Sequence, residues 1–380
     1  MLHLVLAASR NALARHPKFA IDSALGKVSG GDSMLDLASL PQKALNRMGL
    51  DWRLGAINPT VELYFSGPLA DLIAVGLGPR SGRPIRQVGP HVFTCGSVAV
   101  IVRYAQPSEL NFLRQRSFSH VYYVMDDLFS GLETDSSLPE GYRRRLMAFA
   151  GNRLPKILEL ATVLIVPNTV VATGLENFPI EILQPSAVKV CSDFSHFDHG
   201  ADGPIDLLLS GSRSHAADIE MIAPGILRAL RRNHRLRVTS FLGEMAPRSL
   251  RNHSAVRNHP QLPWSKFRQV LQRRRFHAAA APYRDTPFNG ARSINKILDH
   301  GAVGAVGLYS NRAPHSRYVS HMETGVLMAD DHYDWSEAIL EVAGRPRQAR
   351  RLAARGAALA NELGDRRRVR QFWLERLALN

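Results

Sequence analysis

From about residue 60 onward, short apolar runs alternate with longer amphipathic stretches, a pattern that confines the chain to parallel strands joined by crossover helices. Candidate strands are residues 61–65, 98–103, 121–125, 162–166 and 180–183, each bounded by turn-forming or polar residues, and a long helix fits about 140–160. After Leu183 the periodicity is lost through QPSAVKVCSDFSHFDHGADGP, which marks a domain boundary. Beyond it the alternation restarts with IDLLLSGSR, a helix over 216–232, a strand at 236–242, a helix after Trp264, a strand at 276–283, a helix at 291–300 and a strand at 302–309. Two α/β lobes follow, over 1–190 and 203–364, with a closing helical segment at 365–380. The chain shows no self-similarity at a period of about 20 to 50 residues, which argues against a solenoid or propeller.

A length of 380 residues suits two domains, and 45% hydrophobic with 21% charged residues describes an ordinary globular protein. No run approaches the roughly 18 apolar residues that span a bilayer, so disorder and polytopic membrane architecture are both excluded. The opening MLHLVLAAS lacks a basic flank and reads as a first strand, not a cleaved signal, so the expected compartment is the cytoplasm. Residues 1–60 carry the weakest pattern. The cysteines Cys95 and Cys191 cannot build a disulfide framework or a four-cysteine zinc site, although counting alone leaves a single bridge open.

Charge points towards anionic partners. The 48 basic residues against 33 acidic ones give +15, which fits nucleic acid, an anionic membrane surface or an anionic substrate. No helix-turn-helix, zinc-finger or aromatic RNA-binding signature accompanies it, and no nucleic-acid partner is expected. The 15 histidines form no metal signature: His196, His199 and Asp193 cluster in SDFSHFDHG without a dependable zinc spacing, and no metal is expected. At the C-terminus Gly364 stops one helix and Asp365 caps another, whose stripe of Val369, Phe372, Trp373 and Leu377 needs a surface to dock on.

The most informative segment is DTPFNGARSINKILDHGAVGAVGLYS, residues 285–310. At about 100° per residue, Ile294, Ile297, Leu298 and Gly301 point one way and Arg292, Asn295, Lys296 and Asp299 the other. With the helix starting near Ala291, two cations lie at an end that the dipole already makes positive, an unfavourable placement unless an anion binds there. Basic residues at i, i+4 also suit a solvated face. Here, however, buried apolar runs on both sides put this helix start at the carboxyl edge of a parallel sheet. SGSRSHAAD, residues 210–218, places Gly211, Ser212 and Arg213 in a second phosphate-friendly turn, where an arginine is also at home as a plain surface residue. His215 beside it fits either the site or the structure. Asp126 and Asp127 end the strand VYYVMDD and suit a general base, a strand-end cap or a paired-aspartate metal site.

The run PFNGARSINKILDHGAVGAVGLYS resembles the nucleotide-sugar-binding signature of GT-B glycosyltransferases related to glycosyltransferase families one and four, matching in order through Phe288, Asn289, Arg292, Ser293, Lys296, Asp299 and Gly304. IDLLLSGSRSHAADIEMI is similar to the strand and turn that open the donor lobe of that group, and VYYVMDDLFSGL and ATVLIVPNTVVATGL are similar to segments of its other lobe. The resemblance spans about 98–345 and implies a GT-B fold, two Rossmann-like lobes with parallel sheets facing a central cleft. It further implies a hexosyltransferase-type enzyme, independent of metal and without a cofactor. Such an enzyme moves a sugar from a nucleotide-diphosphate sugar to a hydroxyl of a glycan or lipid-linked acceptor in cell-envelope polysaccharide synthesis. The implied donor residues are Gly211, Ser212, Arg213, Phe288, Asn289, Arg292, Ser293, Lys296 and Asp299, with Asp126 and Asp127 catalytic and the last helix crossing back to the first lobe. A basic protein of this kind also suits peripheral contact with the anionic inner face of a membrane. Ala291 stands where retaining members usually carry the first of two glutamates, which motivates a second expectation, a non-catalytic nucleotide-sugar-binding or scaffolding protein.

Overall fold

A computed structural model describes residues 58–379 apart from 75–81, 134, 136–137 and 199–202, so the strand expected at MLHLVLAAS lies outside the described residues. The described chain begins with a short helix, α1 (Pro59–Val61), that runs on into a π-helical turn, Glu62–Ser66. Residues 61–65 were expected as a strand. Asn58 accepts from Thr60 N at 2.9 Å and Pro59 fills the first helical position, so the Asn-Pro pair starts a helix where apolar residues alone suggest an extended run.

The first sheet holds seven strands in chain order, β1 (Ile73–Ala74), β2 (Ile85–Gln87), β3 (Val92–Cys95), β4 (Val98–Val102), β5 (His120–Val124), β6 (Val163–Val166) and β7 (Ile180–Ile182). Strands β4 to β7 are parallel, whereas β3 runs antiparallel to both neighbours. Gly96, at φ 54°, makes the two-residue turn between β3 and β4. Helix α2 (Pro107–Arg114) follows β4, and α3 (Glu140–Asn152) and α4 (Leu154–Leu158) follow β5. The stretch expected as one long helix is thus two, with Pro155 in the first turn of the second.

The second sheet is wholly parallel, in the order β10-β9-β8-β11-β12-β13. Its elements are β8 (Ile205–Leu209), α5 (Ala216–Arg232), β9 (Leu236–Ser240), α6 (Arg248–Arg251), β10 (Val256–Asn258), α7 (Trp264–Arg273), β11 (Ala278–Ala281), α8 (Pro287–Gly290), α9 (Asn295–Val303), β12 (Val306–Ser310), β13 (Val326–Met328), α10 (His332–Gly344) and α11 (Pro346–Leu363). Both faces are covered, which is why IDLLL and AAAA read as continuous apolar runs: Leu207 and Leu209 pack into one core and Leu208 into the opposite one. Strand order reverses between β8 and β11, and such a switch point opens a crevice beyond the carboxyl ends of the two strands.

The last helix, α12 (Arg366–Arg376), is capped by Asp365, which accepts from Arg367 N at 2.9 Å. Val369, Trp373 and Leu377 pack into the core on one face of the first sheet, and Trp373 donates from Nε1 to Tyr64 O at 2.6 Å. Phe372 is only half-buried and lies under the Arg376 guanidinium. Cys95 and Cys191 are buried free thiols. Gly304 ends α9 in the left-handed region at φ 68°, and a Cβ there would stand 2.6 Å from Cys191 Sγ.

Candidate functional site

At the switch point, the turn after β8 brings Ser210, Gly211 and Ser212 to the crevice, and the segment after β11 brings residues 283–299 opposite them. Gly211 is required by close approach, since a Cβ would lie 2.9 Å from His215 Cβ. The segment 287–303, read from sequence as helical from Ala291, is broken: α8 ends at Gly290 and α9 starts at Asn295. A contact from the first lobe meets this break. Asn168 Nδ2 donates to the carbonyls of Ala291 at 3.0 Å and Arg292 at 3.4 Å, and a continuous helix would need those carbonyls for its own ladder.

Arg292 therefore sits in a connecting turn, not in the first turn of a helix. Its guanidinium donates only to neutral acceptors: Asn289 Oδ1 at 2.7 Å, Ser214 O at 3.1 Å and His215 Nε2 at 3.3 Å. Burial, then the Arg292 charge, pulls His215 down to about 3, so its ring is neutral and Nε2 is free to accept. Asp218 Oδ2 lies 3.5 Å from His215 Nδ1, and Asp218 Oδ1 accepts from Asn289 Nδ2 at 2.9 Å. Two of the three groups that hold Arg292 are thus oriented by one carboxylate.

Lys296, the second residue of α9, is buried and donates from Nζ to Ser210 O at 2.9 Å and Ser210 Oγ at 3.1 Å. Asp299 Oδ2 lies 3.7 Å away. Burial lowers the ammonium against the opposing pull of Asp299, and burial raises Asp299 to about 6 against the pull of Lys296. Each charge is left imperfectly solvated, which favours the arrival of an anion beside the ammonium.

Across the crevice, β4 and β5 run parallel and end together, which sets Arg103 beside Asp126 and Asp127. Arg103 donates from Nη1 to Thr60 Oγ1 at 2.8 Å and approaches Asp126 Oδ1 with Nε at 3.4 Å. Tyr104 OH donates to Asp127 Oδ2 at 2.6 Å and Thr60 Oγ1 to Asp126 Oδ2 at 2.7 Å. Burial raises Asp126, with Arg103 opposing and the neighbouring Asp127 adding to the rise. Asp127 Oδ2 accepts two hydrogen bonds, whereas Asp126 Oδ1 is buried, accepts none and faces Arg103 Nε at 3.4 Å.

These groups line one cleft of about 410 Å3. Of the residues singled out from sequence, Asp126, Asp127, Gly211, Ser212, Arg292, Ser293, Lys296 and Asp299 meet there. Three do not reach the wall. Arg213 is exposed, Phe288 is buried in the core of the first lobe, and Asn289 is buried beneath Arg292 as its support. Arg103, Tyr142 and Trp264 join the wall without having been singled out. Arg103 ends VAVIVR as Asp126 ends VYYVM, so the strand-end logic that found the aspartates applies to it equally.

No family model matches the chain, and no curated protein matches it by sequence. Among solved structures it is similar to sucrose-phosphate synthase from Thermosynechococcus elongatus at 14% identity and TM-score 0.51, covering 90% of this chain and 81% of that one. It is also similar to Anabaena HepE in complex with UDP and glucose at 13% identity and TM-score 0.50, covering 74% and 78%. Both neighbours are GT-B glycosyltransferases. The fold is GT-B.

Among the described residues of this GT-B chain, no group of three His, Cys, Asp or Glu is placed to hold a metal ion, and no helix is long and apolar enough to cross a membrane. Trp264, which lines this cleft, donates from Nε1 to Glu62 at 2.6 Å, and Arg268 pairs with the same carboxylate, so the turn Glu62–Ser66 is tied to α7.

Proposed function

We propose that the chain is a glycosyltransferase that binds a nucleotide-diphosphate sugar through residues 203–364 and presents an acceptor hydroxyl through residues 1–190. The observation that carries this is Arg292, a half-buried guanidinium at the sheet switch point whose hydrogen bonds all go to neutral groups, with the buried Lys296 ammonium in the same cleft. A guanidinium fork and an ammonium beside backbone NH groups are the chemistry that holds a diphosphate.

In the step itself, Asp126 takes the proton of the acceptor hydroxyl, and the hydroxyl oxygen bonds to the anomeric carbon. The bond from that carbon to the diphosphate oxygen breaks, and its electron pair leaves on the nucleoside diphosphate. Arg292, Lys296 and Ser293 stabilise the charge that develops there. Arg103 occupies the space between Asp126 and Asp127 that a divalent cation would need, which supports a metal-independent reaction. A glycan or lipid-linked acceptor of the cell envelope fits this scheme, and the +15 charge suits work at the inner face of an anionic membrane.

A non-catalytic sugar-nucleotide-binding protein is the second reading, favoured by Ala291, which is buried with its carbonyl held by Asn168 and carries no carboxylate. A thermal-shift screen of nucleoside diphosphates and their sugars tests the shared binding claim, since a ligand of the folded state raises the melting temperature. Transfer of labelled sugar from the donor found this way then separates enzyme from binder. No response to any nucleoside diphosphate would overturn both.

A further inference from the structure

A second hollow, of about 620 Å3, opens in the first lobe beside the cleft and shares Arg103 and Tyr142 with it. It lies between the end of β4 and α3, and its walls are carbon-rich: Tyr104, Tyr142, Leu146 and Phe149, with Tyr104 and Phe149 edge to face at 4.7 Å. Such walls suit the apolar faces of a sugar ring. His91 also lines it. Its Nδ1 donates to Val102 O at 2.8 Å, and burial brings it down to about 4, so a neutral ring keeps Nε2 as an acceptor for a hydroxyl.

The charged groups of this hollow are all cations. Arg145 and Arg153 line it with Arg103, and no aspartate or glutamate does. Arg103 is neutralised by Asp126 and Asp127, but the other two are not. Among the described residues Arg153 donates to Gln106 Oε1 at 3.5 Å and Arg145 lies over the Tyr142 ring at 5.6 Å, and neither forms an ion pair. Two guanidinium groups without an ion-pair partner thus line an aromatic-walled hollow, and their N–H donors suit a phosphate or carboxylate.

We propose that this hollow is the acceptor site and that the acceptor is an anionic saccharide, its phosphate or carboxylate held by Arg145 and Arg153. Its ring lies along Tyr104 and Phe149, and its reacting hydroxyl reaches Asp126 past the shared edge at Arg103. The inference rests on the neighbouring cleft being the donor site.

The test is calorimetric titration of the whole chain with hexose phosphates, with hexuronates and with their neutral parent hexoses, and separately with UDP and the other nucleoside diphosphates. The phosphate and carboxylate arms distinguish the two sources of charge. At least one charged sugar is expected to bind about 10-fold or more tightly than its parent hexose, and Arg145→Glu and Arg153→Glu are each expected to abolish that preference. Arg145 is exposed, so its variant is expected to melt where the parent chain does and the loss is then one of recognition. If a nucleoside diphosphate binds while no charged sugar outbinds its parent, the anionic acceptor is wrong and the donor cleft stands. A charge preference that survives Arg145→Glu overturns the assignment of the hollow. If no nucleoside diphosphate binds either, the donor reading falls together with the inference built on it.

Discussion

Asp127 Oδ2 lies 2.5 Å from Arg103 Nη2, and Arg103 reaches it from a left-handed backbone at φ 61°. A non-glycine residue held there stores about 1 to 3 kcal/mol, which the surrounding contacts must over-determine. Those contacts are the two aspartates and Thr60. Arg103→Met should leave both carboxylates buried without their counter-ion, and destabilisation of about 3 to 5 kcal/mol is expected by urea unfolding. Arg103→Lys should recover little, because one ammonium cannot serve three partners in fork geometry.

Lys296→Ala and Arg292→Ala are each expected to weaken nucleoside-diphosphate affinity by about 10-fold or more, the loss of one charge-assisted contact of about 1.5 to 3 kcal/mol. Lys296→Glu should be worse than alanine. Unchanged affinity in both alanine variants, measured by calorimetry, would show that the diphosphate lies elsewhere.

Transfer is expected to survive EDTA, because protein cations face the leaving group and Arg103 fills the gap between Asp126 and Asp127. Complete loss of transfer that Mn2+ restores would instead make those aspartates metal ligands.

Acid should destabilise the fold earlier than carboxylate titration alone would. Burial brings His215 and His315 from 6.5 to about 3 and His91 to about 4. A depressed folded pKa gives stability that is present above 6.5 and declines as pH falls through that value towards 4 and then 3. Each histidine contributes a slope of up to ~1.4 kcal/mol per pH unit. Asp299 works in the opposite sense: raised from 3.8 to about 6, its share is full below 3.8 and is lost as pH rises through about 6. Burial also depresses His196 and His300 and raises Asp126, Asp206 and Glu109, so five depressed histidines stand against four raised carboxylates. The histidines are expected to dominate, so the urea midpoint should fall from pH 6.5 to pH 5, and a rising midpoint over that interval would contradict these assignments.

Trp373→Ala should cost about 3 to 5 kcal/mol, the usual price of deleting a buried aromatic. Phe372→Ala should cost about 1 kcal/mol, because it leaves the core intact and removes mainly the stacked Arg376. Equal and negligible effects on the melting temperature, with loss of liposome binding, would mark the helix as a membrane anchor.

The alternation of apolar runs made the second lobe legible, since strands buried on both faces leave unbroken apolar sequence and Ala216–Arg232 shows a clean helical period. Short edge strands such as Ile73–Ala74, Val256–Asn258 and Val326–Met328 carry too few residues for a period to show. Arg292 and Lys296 were legible as a cationic pair with Ser293 between them, but the break before Asn295 was not, because the Asn168 contact that meets it comes from 123 positions away. Arg103 was open to the strand-end reading that found the aspartates, but its pairing with them was not, because it depends on the register of β4 against β5.

Asn168 grips the main chain of residues 291 and 292 from the first lobe, so the turn that aims Arg292 is held in part by the lobe opposite. A change in lobe spacing would therefore be felt at Arg292, and a ligand that tightens around Arg292 would resist that change by the same free energy. Asn168→Ala touches no ligand, yet it should loosen nucleotide affinity and lobe closure together, leaving the strength of one readable from the other.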